Sequence, residues 1–512
     1  MQPLLAVSLR HLFPTASFIG CANLNVRDAV CSSTEVTSGA LFAALPGSAR
    51  HGREFVVDAM ARGATSLLLD QPLPECRLPQ CIVPNVRAAY ARLCHALFAD
   101  PTRHLGVVGV TGTNGKTTTT WMVRSILAAA RGPSGLIGTI ETSDGIGRCP
   151  ANLTTPGSRD LAMIFASTRR NLVRYAALEL SSHALDQSRC VGTQLDVAVV
   201  TNLTQDHFDY HGTFENYRLA KSRIFSHLKR GGTAVLNADD PAAMSLLPLT
   251  NCTQVVTYGL HLDADVHCEI LGQTVEGTHF RVTAGTDSAI YFTPLIGQYN
   301  ISNALAAIAS CRQLGLSLAE MTSGLEQLRL VPGRMQRVSH GQPFEVWVDF
   351  AHTDAGLRGA IAAVRPLIKG QLTVVFGAGG DRDPGKRPLM GRAAAEADLA
   401  IVTSDNPRSE APAEISRQIV AGWPRSTPPE IILDREAAIR HAIHSALPGD
   451  GILIAGKGHE DIQIIGAEKR PFRDVEVSGE AIFTHPNRER HRNGPMMRHR
   501  ATSSGPADHS FL

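Results

Sequence analysis

A chain of 512 residues is too long for a single hydrophobic core, so we expect several domains. Its formal net charge of +2 gives no electrostatic argument for binding nucleic acid or an anionic membrane. Hydrophobic residues make up 43% and charged residues 19%, which excludes a disordered chain and indicates a soluble globular protein. The ten cysteines form no CxxC pair, and the chain shows neither a membrane span nor a signal-peptide layout. We therefore expect a cytoplasmic protein with reduced thiols.

The first hundred residues have the pattern of a small α/β domain. Apolar runs at residues 40–45 and 66–70 predict short strands, and residues 53–62 predict a helix between them. The dipeptide Asp100-Pro101 is a natural boundary, because proline blocks continuation of a helix. No strong catalytic constellation is visible in this part.

A phosphate-binding loop is predicted at residues 105–120, LGVVGVTGTNGKTTTT. The apolar run 105–110 indicates a buried parallel strand, and a glycine-rich turn leads from it into a helix that opens at Lys116. Loop N–H groups and the helix dipole favour an anion, Lys116 would reach the terminal phosphates, and the Thr117 hydroxyl would bind Mg²⁺. Counted from Gly112, the spacing is shorter than that of GxxxxGK[ST], and an ordinary strand–turn–helix is the alternative. ATP is the predicted ligand.

Two further strands of the segment 102–332 end in polar residues. Residues 176–180 lead into Ser181, and residues 196–201 lead into the sequence NLTQDH. Ligands of open parallel sheets bind beyond the carboxyl ends of the strands, so Glu179 and His207 are predicted to approach Lys116. The Glu179 carboxylate is a suitable ligand for Mg²⁺. Additional strands are predicted at 233–237 and 254–258, and a helix at 301–314.

The segment 333–484 repeats one pattern four times. Apolar runs at 345–350, 372–376, 399–403 and 452–455 each end in a polar or glycine-rich turn, with helical segments between them. This βαβ series predicts a parallel sheet with covered faces. Four polar residues would then meet at one edge of the sheet: Arg382, Asn406, Arg408 and Glu460. This convergence indicates a ligand site and not merely ordinary loop residues.

From about residue 485 the chain is rich in Arg, His, Ser, Gly and Pro, and we predict a disordered tail. Its basic character would suit nucleic acid or an acidic partner, but a solvated tail without function is the simpler interpretation.

Several blocks together resemble the Mur ligase family, the ATP-dependent amide-bond ligases of peptidoglycan precursor synthesis. They are GTNGKTT from Gly112, ELSSHALDQSR from Glu179, TNLTQDHFDYHGTFENYRLAK from Thr201, PGRMQRV from Pro332, FGAGGDRDPGKRPLMG from Phe376 and GKGHEDIQ from Gly456. The resemblance implies an α/β fold with three domains: residues 1–101 for the UDP-substrate, a P-loop ATPase domain at 102–332, and a Rossmann-like amino-acid domain at 333–484, before the tail 485–512. The first-domain block departs from the family pattern, since Ser32-Ser33-Thr34 stands where Asp-Ser-Arg is usual.

The resemblance also implies roles for individual residues. Catalytic roles fall on Lys116, His207 and Lys221, the last of which family members carbamylate with CO₂. The implied Mg²⁺ ligands are Thr117, Glu179, His207 and the carbamate on Lys221. The implied ATP contacts are Gly112, Thr113, Asn114, Gly115, Lys116, Thr117, Thr118, Arg334 and His352. The implied contacts to the UDP-muramoyl dipeptide are Ser33, Ser48, Arg50, Thr154, Thr155, Ser181, Gln187 and Arg189. The implied amino-acid contacts are Arg382, Asp405, Asn406, Pro407, Arg408, Gly456 and Glu460.

The tetrapeptide DNPR, residues 405–408, bears on the incoming amino acid. Within the family it accompanies meso-diaminopimelate, and lysine-adding members carry a different sequence there. The chemistry agrees, because Arg408 can bind the distal carboxylate of diaminopimelate in a bidentate manner. Lysine has no such carboxylate and would leave the guanidinium unpaired.

The activity implied is addition of meso-diaminopimelate to UDP-N-acetylmuramoyl-L-alanyl-D-glutamate through an acyl phosphate, with ATP, Mg²⁺ and a carbamate on Lys221. Small-molecule substrates, no nucleic acid or membrane partner, and a monomer are expected. Three alternatives stay open at this point: the same ligase using L-lysine or another amino acid, a related ligase such as folylpolyglutamate synthase, and a non-catalytic ATP-binding scaffold.

Overall fold

The computed structural model describes residues 5–47, 50–250 and 254–485. Three sheets, built from consecutive parts of the chain, dominate these residues and confirm the α/β fold class. The predictions on Ser48 and on the tail beyond residue 485 lie outside the described residues. The domain boundaries proposed above stay predictions. None of the helices described is both long and apolar enough to span a membrane.

The first sheet is small and largely parallel. Only its edge strand Ser17–Ile19 is antiparallel to its neighbour. The predicted helix 53–62 is instead a 3₁₀ turn, Gly52–Phe55, followed by the helix Val56–Ala61, because a capping box between His51 and Glu54 fixes the turn first. The strand order is Ser17–Ile19, Gln80–Ile82, Ser66–Leu69, Leu41–Ala43, Ala29–Val30. Two further strands, Val7–Ser8 and Asn25–Val26, pair separately. The helices of this part are Leu9–Leu12, Val56–Ala61 and Val86–Leu97.

The central sheet has eleven strands and carries the phosphate loop near its middle. Its order is Arg148–Pro150, Glu141–Ser143, Gly135–Ile137, Tyr175–Glu179, Gly106–Thr111, Leu195–Val200, Leu228–Asn237, Gln254–Gly259, Val266–Thr274, Gly277–Ala284, Asp287–Thr293. Neighbours are parallel from the third strand of this order to the ninth and antiparallel at both ends. The helices are Lys116–Arg131, Ser158–Arg170, Ser182–Asp186, Phe208–His211, Phe214–Ser222, Pro241–Met244, Gln298–Gln313 and Leu318–Gln327.

The predicted strands of this sheet are present, but sequence reasoning missed the antiparallel strands between residues 266 and 293. Their buried and exposed residues alternate, as along Gly277–Ala284, because one face meets solvent. A search for continuous apolar runs finds only strands that are covered on both faces. The predicted helix 301–314 is present as Gln298–Gln313. It is buried on nearly every side, and the helix Lys116–Arg131 shares its hydrophobic core.

The third sheet is parallel except at one edge. Its order is Gln336–Arg337, Glu345–Asp349, Gly451–Ala455, Leu372–Phe376, Leu399–Val402, Glu430–Ile431, and only the first pair is antiparallel. All four predicted strands are therefore present. The helices are Asp354–Val364, Lys386–Ala394, Pro412–Val420, Arg435–His444 and Asp474–Phe483, and a hairpin joins Ile462–Ile465 to Glu468–Pro471.

A fully buried ion pair connects two of these helices. The Arg435 guanidinium donates to both carboxylate oxygens of Asp474 at 2.8 Å, and neither side chain is exposed. Its Nη2 also donates to the carbonyl of Ala455 at the end of a strand. Asp474→Asn is expected to lower the free energy of unfolding by about 3–5 kcal/mol, because it leaves a buried guanidinium without a counter-charge. Urea unfolding followed by tryptophan fluorescence measures the change.

The matched control is Glu468→Gln, which breaks an ion pair with Arg470 on the surface hairpin. Both partners are more than half exposed, so its effect should stay below about 1 kcal/mol. Equal urea midpoints for Asp474→Asn and wild type would show that the buried pair makes no such contribution to the free energy of unfolding.

Candidate active site

The phosphate loop lies between a buried strand and the start of a long helix, as predicted. Two of its glycines have positive φ, +146° at Gly112 and +86° at Gly115. A Cβ at Gly112 would lie 1.9 Å from the hydroxyl of Thr201, so no larger residue fits there. The Lys116 side chain folds back over the loop, and its ammonium donates to the carbonyls of Gly112 and Thr113 at 2.9 and 2.8 Å. A cation and the N-terminus of a helix therefore meet at one point.

Glu179 is buried at the end of its strand, directly beside the helix start. Its Oε2 accepts hydrogen bonds from the hydroxyls of Thr117 at 3.0 Å and Thr139 at 2.9 Å. Its Oε1 accepts from the backbone N–H of Thr139 at 2.9 Å. The carboxylate and the Thr117 hydroxyl thus form an oxygen pair suited to a hard divalent cation.

His207 lines the cavity into which the phosphate loop opens. Its backbone is left-handed, with a φ of 56°. Its Nε2 lies 3.4 Å from the carboxylate of Asp206. Burial lowers the pKa of His207 to about 4, so its imidazole is neutral near pH 7 and keeps a lone pair available. Among the described residues, no three His, Cys, Asp or Glu side chains are grouped closely enough to hold a metal by themselves.

Lys221 reaches the phosphate loop from a helix 109 residues further along the chain. Its ammonium is buried and donates to the carbonyl of Gly112 at 2.7 Å, with the ring of Tyr217 at 4.7 Å. Burial, and next the charge of Lys116, lower its pKa well below the usual lysine value. A neutral amine is therefore more accessible here than at a surface lysine.

Arg334 lies just before the first strand of the third sheet, and its side chain reaches the phosphate loop. Its Nη2 donates to the hydroxyl of Thr117 at 3.2 Å, and its guanidinium lies over the ring of Phe350 at 4.4 Å. Buried polar atoms of three cavity residues make no hydrogen bond with the residues that the structure describes: Arg334 Nε, Tyr299 Oη and Thr204 Oγ1. These atoms suit a polar ligand between the two sheets.

At the other end of the cavity, two loops of the third sheet are fixed to each other. Arg408 has a φ of 51°, and this conformation is held because its N–H donates to Ile464 and its carbonyl accepts from Gly466. Its Nη1 donates to the carbonyl of Gly380 at 2.5 Å. The buried Arg387 donates to both carboxylate oxygens of Glu410 at 2.8 Å and to the carbonyl of Gly379 at 3.1 Å. Glu410 also accepts from the N–H of Asp381, so the loop that carries Arg382 is held.

One cavity of about 630 Å³ joins these groups. The predicted residues that line it are Thr113, Asn114, Gly115, Lys116, Thr117, Thr118, Thr154, Ser181, His207, Lys221, Arg334, His352, Arg382, Asp405, Asn406, Arg408, Gly456 and Glu460. It therefore extends from the phosphate loop to the DNPR segment.

Comparison with known proteins agrees with this arrangement. The Mur ligase middle domain matches residues 110–311, and the Mur ligase glutamate ligase domain matches residues 333–458. A UDP-N-acetylmuramoyl-L-alanyl-D-glutamate--2,6-diaminopimelate ligase of Geobacillus kaustophilus is 44% identical over 458 residues, 88% of this chain and 93% of the relative. The chain belongs to the Mur ligase family. The enzyme of the same name from Gloeobacter violaceus is 43% identical over 88% of the chain and 92% of the relative.

Solved structures support the fold of this Mur ligase. A structure of a UDP-N-acetylmuramoyl-L-alanyl-D-glutamate--2,6-diaminopimelate ligase superposes with a TM-score of 0.66 at 31% identity, covering 94% of this chain and 99% of that one. MurF from Acinetobacter baumannii superposes with a TM-score of 0.62 over 89% of this chain and 96% of its own, but at 21% identity it shows the fold alone.

The remaining predicted residues of this Mur ligase lie outside the cavity lining. Thr155 donates to the carbonyl of Glu179 at 2.8 Å, and Arg189 donates to the carbonyl of Thr155 and to Gln187. In the part of the chain that forms the first sheet, Ser33 is buried in a short 3₁₀ turn. Arg50 pairs with Glu54 at the surface, outside the lining. The other predicted residues outside the lining are Gly112, Glu179 and Pro407. The substrate roles of these residues stay predictions.

Sequence reasoning missed several polar groups of this site. Asp206 and Lys386 both line the cavity, and burial lowers the pKa of Lys386. Thr139 holds Glu179, and Lys457 is buried beneath Glu460. Three of these residues lie inside motif blocks quoted in the sequence analysis, so position within a block was the available signal: Asp206, Lys386 and Lys457. Thr139 lies in no such block.

Proposed function

We propose that this Mur ligase is the ATP-dependent ligase that joins meso-diaminopimelate to UDP-N-acetylmuramoyl-L-alanyl-D-glutamate. The observation that carries the proposal is one cavity with a phosphate loop at one end and Asn406, Arg408 and Glu460 at the other. Relatives with 42–44% identity over most of the chain bear the name of this ligase. The substrates are small molecules.

Mur ligases use ATP and Mg²⁺, and the residues at the phosphate loop fit both. The loop N–H groups, Lys116 and Arg334 supply positive charge for the phosphates. Thr117 and Glu179 would hold Mg²⁺, with the neutral His207 at a second position. Because few protein ligands are grouped here, phosphate oxygens and water would complete the coordination, as is usual for Mg²⁺. Bound there, Mg²⁺ would supply positive charge to the transferring phosphoryl group.

A carbamate on Lys221 belongs to the same proposal. Reaction of CO₂ with the neutral amine forms an N–C bond and releases a proton, so an anionic carbamate replaces the amine. The buried amine with its lowered pKa favours the neutral form that reacts. The anion would lie beside Gly112 and complement the positive charge gathered at the loop.

The proposed reaction proceeds in two steps. A carboxylate oxygen of the D-glutamate residue attacks the γ-phosphorus of ATP, the bond to the β-phosphate oxygen breaks, and ADP leaves as an acyl phosphate forms. The amine of diaminopimelate then attacks the acyl carbon, loses a proton, and expels inorganic phosphate. Lys116 stabilises charge on the transferred phosphoryl group, and the fixed loops hold amine and carboxylate in reach of each other. No protein nucleophile is needed.

Arg408 and Glu460 support the choice of amino acid. The distal end of meso-diaminopimelate carries a carboxylate and an ammonium, which match a guanidinium and a carboxylate. L-Lysine lacks the distal carboxylate and would leave Arg408 unpaired.

Phosphate release from ATP, measured with the UDP-muramoyl dipeptide and either amino acid, tests the proposal. We expect turnover that requires all three substrates and at least about a 100-fold preference for meso-diaminopimelate over L-lysine in kcat/KM, because a half-buried guanidinium without its carboxylate partner is costly. Equal turnover with L-lysine would keep the ligase and overturn the specificity. No phosphate release with either amino acid would favour the ATP-binding scaffold, and turnover with folyl substrates would favour the folylpolyglutamate synthase alternative.

A further inference from the structure

Lys457 is a charged group at the amino-acid end of the cavity to which the proposed reaction gives no role. Its side chain is fully buried and does not line the cavity. Its three N–H groups match three acceptors: Asn406 Oδ1 at 3.1 Å, Glu460 Oε2 at 2.9 Å and the carbonyl of Ile462 at 2.6 Å. An ammonium has three donors, so none is left for a substrate. Lys457 can therefore act only through its neighbours.

The first of these neighbours is the amide of Asn406. The backbone N–H of Ile464 donates to Asn406 Oδ1 at 2.9 Å, and a backbone N–H can only donate. Lys457 donates to the same oxygen, so both donors fix the amide with its oxygen turned inward. Asn406 Nδ2 donates one N–H to Glu460 Oε2 at 2.7 Å. The amide thus offers its remaining N–H, and not its oxygen, to a ligand in the cavity.

The second neighbour is the carboxylate of Glu460, which is one-third exposed. Lys457 and Asn406 both donate to its Oε2. Its Oε1 makes no hydrogen bond with any residue in the described part of the chain. One oxygen is therefore held by the protein, and the other is free to accept from an ammonium.

The charge at this end of the cavity depends on Lys457. The charged residues that line this end are three cations and three anions, so their formal charges cancel: Arg382, Lys386, Arg408, Asp383, Asp405 and Glu460. The buried Lys457 adds one positive charge, and without it the set would be neutral. The distal end of meso-diaminopimelate is a zwitterion, whereas that of L-lysine is a cation, and a positive surrounding disfavours the cation alone.

We infer that Lys457 is a positioning residue that selects an amino acid with a distal carboxylate. It holds Asn406 as an N–H donor toward that carboxylate, orients Glu460 toward the ammonium, and keeps the local charge positive. The inference rests on the proposed function and extends it to a residue that the substrate does not touch.

The test compares Lys457→Met with wild type in the phosphate-release assay, varying each substrate in turn. Lys457→Met is expected to raise the KM for meso-diaminopimelate at least about tenfold and to reduce the preference for it over L-lysine at least about tenfold. The KM values for ATP and for the UDP-muramoyl dipeptide should stay within about twofold, because Lys457 does not line the phosphate end. Replacement of a residue with a purely structural role would not change the KM for one substrate alone.

Lys469→Met is the matched control, since Lys469 is exposed on the neighbouring hairpin strand and should leave all three KM values unchanged. If Lys457→Met does not fold, Lys457→Gln keeps a donor without the charge and should still lose selectivity. An unchanged selectivity in the folded variant, or an equal rise of all three KM values, would overturn the inference. An inactive wild type would instead overturn the proposed function, so the two failures are distinguishable.

Discussion

Lys221→Met is expected to lower kcat at least about 10³-fold, the largest effect of any single change proposed for this enzyme. The variant loses the amine that would carry the carbamate beside Gly112. Methionine has nearly the same length and fills the buried space, so the fold should be kept. Phosphate release at saturating substrates measures kcat, and the thermal midpoint checks that the variant is folded.

Two further measurements separate a carbamate from a simple ammonium at Lys221. Wild type in CO₂-depleted buffer should lose activity and regain it with bicarbonate, and Lys221→Arg, which keeps a positive charge and donors, should stay inactive. Carbamate should also diminish as the pH falls below the pKa of the amine, because only the neutral amine reacts with CO₂. Lys369→Met at an exposed position is the control. Full activity of Lys221→Arg without CO₂ would exclude the carbamate.

Arg408→Leu is expected to lower kcat/KM for meso-diaminopimelate by about 10²-fold to 10³-fold. This loss corresponds to two charge-assisted hydrogen bonds to a carboxylate, at roughly 1.5–2 kcal/mol each. The KM values for ATP and the UDP-muramoyl dipeptide should change little, because Arg408 lies at the far end of the cavity from the phosphate loop. Steady-state kinetics with each amino acid provide the measurement.

L-Lysine gives the discriminating comparison for Arg408. Because L-lysine has no distal carboxylate, its already low kcat/KM should fall far less, and the preference for diaminopimelate should largely disappear. Arg417→Leu removes an exposed guanidinium from the following helix and should have no effect. An equal loss with both amino acids would mean that Arg408 serves mainly to hold the loop through its hydrogen bond to Gly380.

The two ends of the site differ in how they are built and in what they are expected to control. The phosphate end is built from the loop at residues 112–117 and from side chains that reach it, and its chemistry is shared by many nucleotide-binding proteins. The amino-acid end is built from two loops of the third sheet, and we propose that its chemistry decides which amino acid is accepted. Changes at the first end should therefore act on kcat, and changes at the second on the KM of one substrate.

Sequence by itself determined the features that depend on neighbouring residues. The strand at 106–111, the glycine turn and the helix that begins at Lys116 follow one another, so local pattern was enough to predict them. The four strands of the third sheet were predicted for the same reason. The antiparallel strands at 266–293 were missed, because alternating polar residues hide them from a search for apolar runs.

Tertiary structure alone decided which distant groups meet. Lys221 reaches Gly112 across 109 positions, and Arg334 reaches Thr117 across 217. Neither pair leaves a local signal. Strands that are not consecutive in the chain lie side by side, and this order brings their carboxyl ends together. The burial of Lys457 under Asn406 and Glu460 has the same origin, since periodicity describes the surroundings of a residue along the chain and not across the sheet.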